Sequence, residues 1–212
     1  MAQKETVLVF SAHSDDFVIG AGGTIAKYVQ QGKKVICIVM SYGEKSHPWM
    51  KEKVVQKFRS KETFAASTIL GCKTIFFDLQ ELKFQEGYPL IETKLLKLVE
   101  RAKPVKVFTH SQEDPHPDHK AVNQITLDLM SKIRFKPEVY IYSVWNPVSL
   151  QTAHPALYVD ITSHFGTQLR ALHTFKSQRL IISFPVLLLL FRAIHNGLKI
   201  GSLFAEKFFR IR

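Results

Sequence analysis

Residues 7–24 are Val-Leu-Val-Phe-Ser-Ala-His-Ser-Asp-Asp-Phe-Val-Ile-Gly-Ala-Gly-Gly-Thr. The apolar run from Val7 to Phe10 is typical of a short buried strand. Polar side chains follow it at once, and a helix is predicted from Thr24 to Gln31, ending at Gly32. A buried strand, a polar turn and a helix form the first half of a βαβ unit.

The same alternation continues through the chain. Further strands are predicted at 35–40, 74–77, 105–108, 139–144 and 157–161, and further helices at 51–70, 90–102, 119–133 and 162–176. Strands that alternate with helices predict an α/β fold, Rossmann-like, with a mostly parallel sheet covered by helices on both faces. We expect residues 1–212 to form a single domain, with a helical C-terminal region from about residue 163 to 212.

Composition narrows the class of protein. Apolar residues make up 46% and charged residues 22%, which is ordinary for a globular protein. The net charge of +11 suggests an anionic partner, but the basic residues are scattered and no nucleic-acid-binding motif accompanies them, so we expect no nucleic-acid partner. Cys37 and Cys72 indicate reduced thiols of a cytoplasmic protein, and the N-terminal residues do not resemble a signal peptide.

The longest apolar run, Leu180 to Phe191, has 12 residues. A membrane-spanning helix needs about 20. The run therefore predicts a buried helix, a contact between subunits of a homo-oligomer, or a segment in peripheral contact with a membrane. The sequence leaves these three open, and we favour the subunit contact.

A second polar cluster, Asp114-Pro-His-Pro-Asp-His119, follows the strand predicted at 105–108. Ligands of open α/β sheets bind at the carboxyl ends of the strands, so this cluster should lie near the one at 12–16. Imidazoles and carboxylates suit zinc, and a further carboxylate can accept a proton from a bound water. The alternative is that these residues only cap strands and helices, which is less consistent with two clusters at matching strand ends.

Two other kinds of site fit poorly. The glycines of Gly20-Ala-Gly-Gly23 depart from the G-x-G-x-x-G spacing of a dinucleotide site, and the preceding loop carries two carboxylates. We interpret them as positions where helix and strand pack closely. A Ser-His-Asp triad lacks a G-x-S-x-G elbow.

Taken together, the motifs resemble those of the PIG-L/LmbE-like family of zinc-dependent N-acetylglucosaminyl deacetylases. The match spans nearly the whole chain in the right order: Ala12-His13-Ser14-Asp15-Asp16, Gly22-Gly23-Thr24, Gly43-Glu44, Arg59-Ser60-Lys61-Glu62, Leu70-Gly71, His116-Pro117-Asp118-His119 and, toward the end, Asp160-Ile161-Thr162, Ser177-Gln178 and Ala205-Glu206. Two positions differ from the family pattern, because Ser14 stands where proline is usual and Phe17 where an acidic residue is common.

The resemblance implies roles for seven residues. One zinc ion per chain, or another divalent metal, would be bound by His13, Asp16 and His119. Asp15 would be the general base, and His116 would stabilise the oxyanion. Arg59 and Asp78 would contact the sugar, although Arg59 could instead pair with Glu62 three residues on.

The function implied is zinc-dependent hydrolysis of the N-acetyl group of an N-acetylglucosamine-type sugar or conjugate, releasing acetate. The substrate would be a small amino-sugar, and the group attached to the glucosamine stays open. Because Phe17 is neither ligand nor base, we expect activity to survive its presence. The alternative hypothesis is a catalytically inactive protein of the same fold that binds a glycan or a lipid headgroup.

Overall fold

A computed structural model describes residues 4–47, 49–146 and 153–212, with 179–185 described by their backbone alone. These residues contain a seven-stranded sheet in the order β3-β2-β1-β4-β5-β7-β6. Pairing is parallel from β3 to β5, whereas β7 runs antiparallel to both its neighbours. The strands are β1 (Thr6–Ser11), β2 (Lys34–Val39), β3 (Lys73–Phe76), β4 (Lys106–His110), β5 (Glu138–Tyr142), β6 (Ala156–Asp160) and β7 (Ala205–Arg210).

Helices cover both faces of the sheet. They are α1 (Asp16–Gln30), α2 (Glu52–Leu70), α3 (Phe84–Ala102), α4 (Pro117–Lys132), α5 (Phe165–Leu172) and α6 (Arg179–Ile200). One hydrophobic core contains side chains of α1, α5 and α6, among them Phe17 and Leu189. The other contains side chains of α3 and α4, among them Leu95 and Leu129. The predicted single-domain, Rossmann-like α/β fold is therefore confirmed.

Helix α1 begins at Asp16, eight residues before the predicted start. Its glycines lie inside the helix because the helix approaches its neighbours closely. A Cβ atom on Gly20 would lie 2.1 Å from the ring of Tyr142, and one on Gly22 would lie 2.8 Å from Gln168. The low helix propensity of glycine is outweighed here by packing. The interpretation of these glycines as close-packing positions is confirmed.

The prediction of a helical region extending to residue 212 is wrong for its last part. Helix α6 ends at Ile200, before Gly201 with its positive φ of 70°. Residues 205–210 then form β7, inserted between β5 and β6. This strand buries Phe208 and Phe209 among polar neighbours, so it lacks the continuous apolar run that marked the parallel strands.

Candidate active site

Strands β1 and β4 are neighbours in the sheet, with Val7 paired to Lys106 and Val9 to Phe108. The polar residues that follow them therefore meet at the same edge, as predicted. Nε2 of His13 lies 3.1 Å from Oδ2 of Asp118, although 105 residues separate them in sequence.

His13, Asp16 and His119 form the centre of this site. One ligand atom from each lies within 4.8 Å of those of the other two. Oδ2 of Asp16 is 3.3 Å from Nδ1 of His13 and 3.4 Å from Nε2 of His119. That Nε2 atom is buried and has no hydrogen-bond partner among the described residues. Two imidazoles, a carboxylate and an unpaired buried nitrogen fit a divalent metal.

The ionisable side chains of this group shift one another's pKa values. Burial favours the neutral imidazole of His13, but Asp16 and Asp118 outweigh it and raise the pKa of His13 to about 10. In His119 burial likewise opposes the shift, yet Asp16 and Asp114 raise the pKa to about 9. Burial disfavours the charge of Asp16, but His119 and His13 hold its pKa well below the usual range. Without a metal the two imidazoles therefore hold protons at neutral pH, and a divalent cation would replace those protons between the same side chains.

Each histidine of the group contacts a second carboxylate. Nδ1 of His119 is 3.0 Å from Oδ1 of Asp114, which is completely buried. Asp114 also accepts hydrogen bonds from the backbone N–H groups of Val144 and Trp145. On the other side, Asp118 contacts His13 and accepts from the N–H of Leu82. Such carboxylate–histidine pairs orient ligands in metal sites.

The sequence reasoning assigned no role to Asp114, Asp118 or His110. The first two belong to the quoted cluster, and their spacing around the histidines was the available signal. His110, the last residue of β4, stacks on His119 with ring centroids 4.0 Å apart. The backbone N–H of Ala12 donates to its Nε2 atom. Burial and the nearby His119 lower the pKa of His110 to about 4, which keeps it neutral.

Asp15 lies beside the group, at the N-cap of α1, and is buried. Nη2 of Arg59 donates to its Oδ1 atom over 3.2 Å, and Nε of Arg59 donates to the carbonyl oxygen of Tyr42. The pair Arg59–Glu62 does not form, because Glu62 instead accepts from the backbone and hydroxyl of Ser177. Arg59 is 2% exposed, and its Nη1 atom has no hydrogen-bond partner among the described residues.

His116 is half-buried at the N-cap of α4, and its Nδ1 atom accepts from the N–H of Asp118. A neutral ring in that state carries its proton on Nε2. Burial, together with His13 and His119, lowers the pKa of His116 and favours this neutral form. Its ring centroid is 4.8 Å from that of His13 and 4.8 Å from that of His119. The structure therefore offers a hydrogen-bond donor beside the metal-binding group.

Asp78 is more remote. It is exposed after β3 with a positive φ of 56°, and no described hydrogen bond or ion pair joins it to the group. Its charge acts on Tyr42, whose pKa is raised chiefly by burial and then by Asp78. Of the two positions that differ from the family pattern, Ser14 donates to the carbonyl oxygen of Tyr42, and Phe17 is fully buried in the core.

Comparisons with known proteins show which proteins this chain resembles. The family model described as PIG-L, GlcNAc-PI de-N-acetylase, matches residues 8–130. A 4-oxalmesaconate hydratase of Pseudomonas putida is 28% identical over 93% of this chain and 83% of its own length. A probable N-acetyl-alpha-D-glucosaminyl L-malate deacetylase 2 of Bacillus cereus is 24% identical over 81% of this chain and 83% of its own.

The crystal structure of GalB, the 4-carboxy-2-hydroxymuconate hydratase from Pseudomonas putida, superposes with a TM-score of 0.85. It is 26% identical and covers 98% of this chain and 96% of that one. The names of these relatives therefore include both a deacetylase and hydratases.

Proposed function

Because this chain belongs to the PIG-L family, we propose that it is a metal-dependent deacetylase. It would hydrolyse the N-acetyl group of an N-acetylglucosamine-type sugar or conjugate and release acetate and a free amine. The observation that carries the proposal is the convergence of His13, Asp16 and His119. The Bacillus cereus relative, whose name gives a deacetylase of an N-acetylglucosaminyl conjugate, supports the substrate class.

His13, Asp16 and His119 would hold the metal, and their donor set favours zinc. When bound, such an ion polarises a carbonyl and lowers the pKa of a coordinated water to about 7. Asp15 would take the proton from the attacking water and later deliver it to the departing amine. Arg59 supports this role because its contact with Oδ1 fixes the orientation of the Asp15 carboxylate.

His116 would donate a hydrogen bond to the oxygen that becomes negative as water attacks the carbonyl. Its Nε2 proton is available because Nδ1 is already engaged with Asp118. A donor placed at such an oxyanion typically contributes about 10²–10³ in kcat.

Two buried polar atoms, one of them on the arginine that contacts Asp15, bear on the proposal of a hydroxyl-bearing substrate. Nη1 of Arg59 and Oε2 of Glu44 are buried without hydrogen-bond partners among the described residues. A Cβ atom on Gly43 would touch the Arg59 guanidinium, so Gly43 packs directly on that group. Glu44 is the next residue in the chain. Sugar hydroxyls both donate and accept, and could satisfy both atoms. Arg59 and Asp78 remain the proposed sugar contacts.

A second candidate is the hydration of an unsaturated carboxylic acid, which the Pseudomonas putida hydratase favours as a relative. The proton and hydroxyl of water would add across a carbon–carbon double bond. A substrate with several negative charges fits this site less well, because the site already holds two buried carboxylates, those of Glu44 and Glu81. The pKa of Glu81 is raised by burial and by Glu44 and is lowered by His13 and Arg59, so these charged groups act on one another. Arg59 is already shared with Asp15 and Tyr42.

The test is release of acetate and free amine from a panel of N-acetylglucosamine conjugates, with unsaturated di- and tricarboxylic acids assayed in parallel. Chelation should abolish deacetylation, and added zinc should restore it. Asp15→Ala should keep its metal but lose turnover by about 10²–10⁴. Glu100→Ala, an exposed change on α3, is the matched control and should keep the wild-type rate.

Wild-type turnover by Asp15→Ala would show that the base is assigned wrongly. Water addition to the unsaturated acids, with no acetate from any conjugate, would replace the deacetylase by the hydratase. Chelator-insensitive glycan binding without turnover would favour the inactive binding protein.

A further inference from the structure

Helix α6 has two different faces. Leu188, Leu189 and Ala193 are buried against the sheet. On the opposite face a row of apolar side chains is exposed, with Leu187 at 68%, Phe191 at 57% and Leu198 at 75%. We call this row the α6 stripe; it consists of Leu187, Leu190, Phe191, Ile194 and Leu198. Their spacing of three, four, seven and eleven residues places them along one side of the helix.

Basic residues lie beside the α6 stripe. Arg192, Lys199 and Lys207 line one pocket of about 140 Å³, to which Phe191 also contributes. The pKa of Lys207 is lowered by partial burial and by repulsion from Lys199, so the two ammonium groups act on each other. Within the described part of the chain, neither forms an ion pair with a carboxylate. Residues 179–200 contain no Asp or Glu.

Glu206 also lines this pocket, but its carboxylate is engaged elsewhere. It accepts hydrogen bonds from the backbone N–H groups of Gly23 and Thr24 and from the side chain of Gln168. The guanidinium of Arg192 contacts only backbone carbonyl oxygens, those of Ser143 and Asn146, among the described residues. The charges of Asp114 and Glu206 act on Arg192 without an ion pair. Among the described residues, Lys199 and Lys207 are the basic groups beside the stripe that no carboxylate contacts.

We propose that the α6 stripe docks onto a membrane surface that carries anionic headgroups. Exposed apolar side chains beside uncompensated basic groups are the features of a helix that lies in the interface of an anionic bilayer. In the described residues no helix is long and apolar enough to cross a membrane, which is consistent with surface binding alone.

Charge favours a bilayer over a second copy of this chain. In a symmetric dimer through the stripe, the same surface of both copies would face itself. Two copies of a chain that carries a net charge of +11 repel each other, and residues 179–200 offer no acidic side chain that could pair with the basic groups of a second copy. Anionic headgroups satisfy the apolar and the basic parts of the surface together. The homo-oligomer stays a prediction that the same experiment tests.

The experiment is co-sedimentation of the full chain with vesicles of phosphatidylcholine alone or mixed with phosphatidylglycerol. We expect binding to the anionic vesicles that weakens at high salt, and little binding to neutral ones. Leu187→Ser/Leu198→Ser should lose most of the binding. Lys199→Glu/Lys207→Glu should weaken binding to anionic vesicles by about tenfold or more. Lys199→Glu alone is kept in case the double variant does not fold.

The matched control is Lys94→Glu/Lys97→Glu, which makes the same charge change on α3, a helix that does not line the pocket beside the α6 stripe. It should bind like the wild type, and circular dichroism checks the fold of every variant. Absence of wild-type binding to anionic vesicles would overturn the proposal, as would an equal loss in the control. A wild-type dimer in light scattering that Leu187→Ser/Leu198→Ser dissociates would assign the stripe to self-association instead.

Discussion

At the scale of single residues, the two histidines of the proposed metal group are each oriented by a carboxylate of their own. Asp114 contacts His119, and Asp118 contacts His13. Asp114 is also held by the backbone of Val144 and Trp145. The imidazole positions thus depend on the chain segment after β5 as well as on the segment that carries the histidines.

The first prediction concerns Asp114→Asn. The amide keeps the shape of the side chain but loses its charge, so His119 becomes a weaker ligand. We expect metal affinity to fall by about 10–100-fold. Competition titration against a chromogenic chelator measures it, with Glu100→Gln as an exposed control on α3. An unchanged affinity would mean that Asp114 has only a structural role.

The sequence predicted that His13, Asp15, Asp16 and His119 would meet, because strand ends locate residues well. It did not predict the directions in which the side chains of Asp114, Asp118 and His119 point. Side-chain direction at the start of α4 depends on how His116 caps that helix, and the cap is a tertiary detail. Arg59 followed from the family resemblance, whereas its unpaired Nη1 atom appeared only in the structure.

At the scale of elements, helix α1 lies so close to its neighbours that only glycine fits at some of its positions. Its glycines allow the approach of Tyr142 from β5 and of Gln168 from α5. The helix was predicted to begin only at Thr24, after these glycines, because propensity is local while close packing is not. The helix that carries Asp16 is therefore placed by residues far away in the chain.

The second prediction follows for Gly20→Ala. The added Cβ atom would overlap the ring of Tyr142, so we expect the free energy of unfolding to fall by about 1–3 kcal/mol. Gly166→Ala in α5 is the matched control, because its nearest neighbour would be 3.8 Å away. Helix propensity makes that change neutral or stabilising by up to about 1 kcal/mol. Urea unfolding measures both, and equal stability of the two variants would contradict the packing argument.

The third prediction concerns Glu206 of β7, which is buried against α1. Burial raises the pKa of Glu206 from 4.5 to about 7, against the opposing hydrogen bonds from Thr24 and Gly23. A raised folded-state pKa means that the folded protein binds the proton more tightly. The stabilisation of the folded state that this proton on Glu206 provides is therefore complete below pH 4.5 and is lost as the pH rises to about 7.

As the pH rises from 4.5 to about 7, the loss of this stabilisation should lower the free energy of unfolding by at most about 3 kcal/mol. Glu206→Gln cannot titrate, so its unfolding free energy should decline less over the same interval. Urea unfolding at several pH values compares the two proteins. Parallel curves for wild type and variant would show that Glu206 does not titrate in this range.

At the scale of the whole molecule, the parallel part of the sheet explains why the strands and helices of the first two-thirds of the chain were predictable from the sequence. Parallel strands buried on both faces carry continuous apolar runs, and β1 and β2 have them. The C-terminal part was harder because β7 mixes buried Phe208 with charged Glu206 and Lys207. An exposed apolar face on α6 likewise cannot be separated from a buried one by composition alone.

The central claim is that His13, Asp16 and His119 bind one divalent ion per chain. Elemental analysis after zinc loading and exhaustive dialysis tests it most directly, on the wild type, Asp16→Ala and His119→Ala, each checked for folding by circular dichroism. The account predicts one zinc per wild-type chain and loss of the bound zinc in both folded variants. Full zinc occupancy in either variant would contradict it.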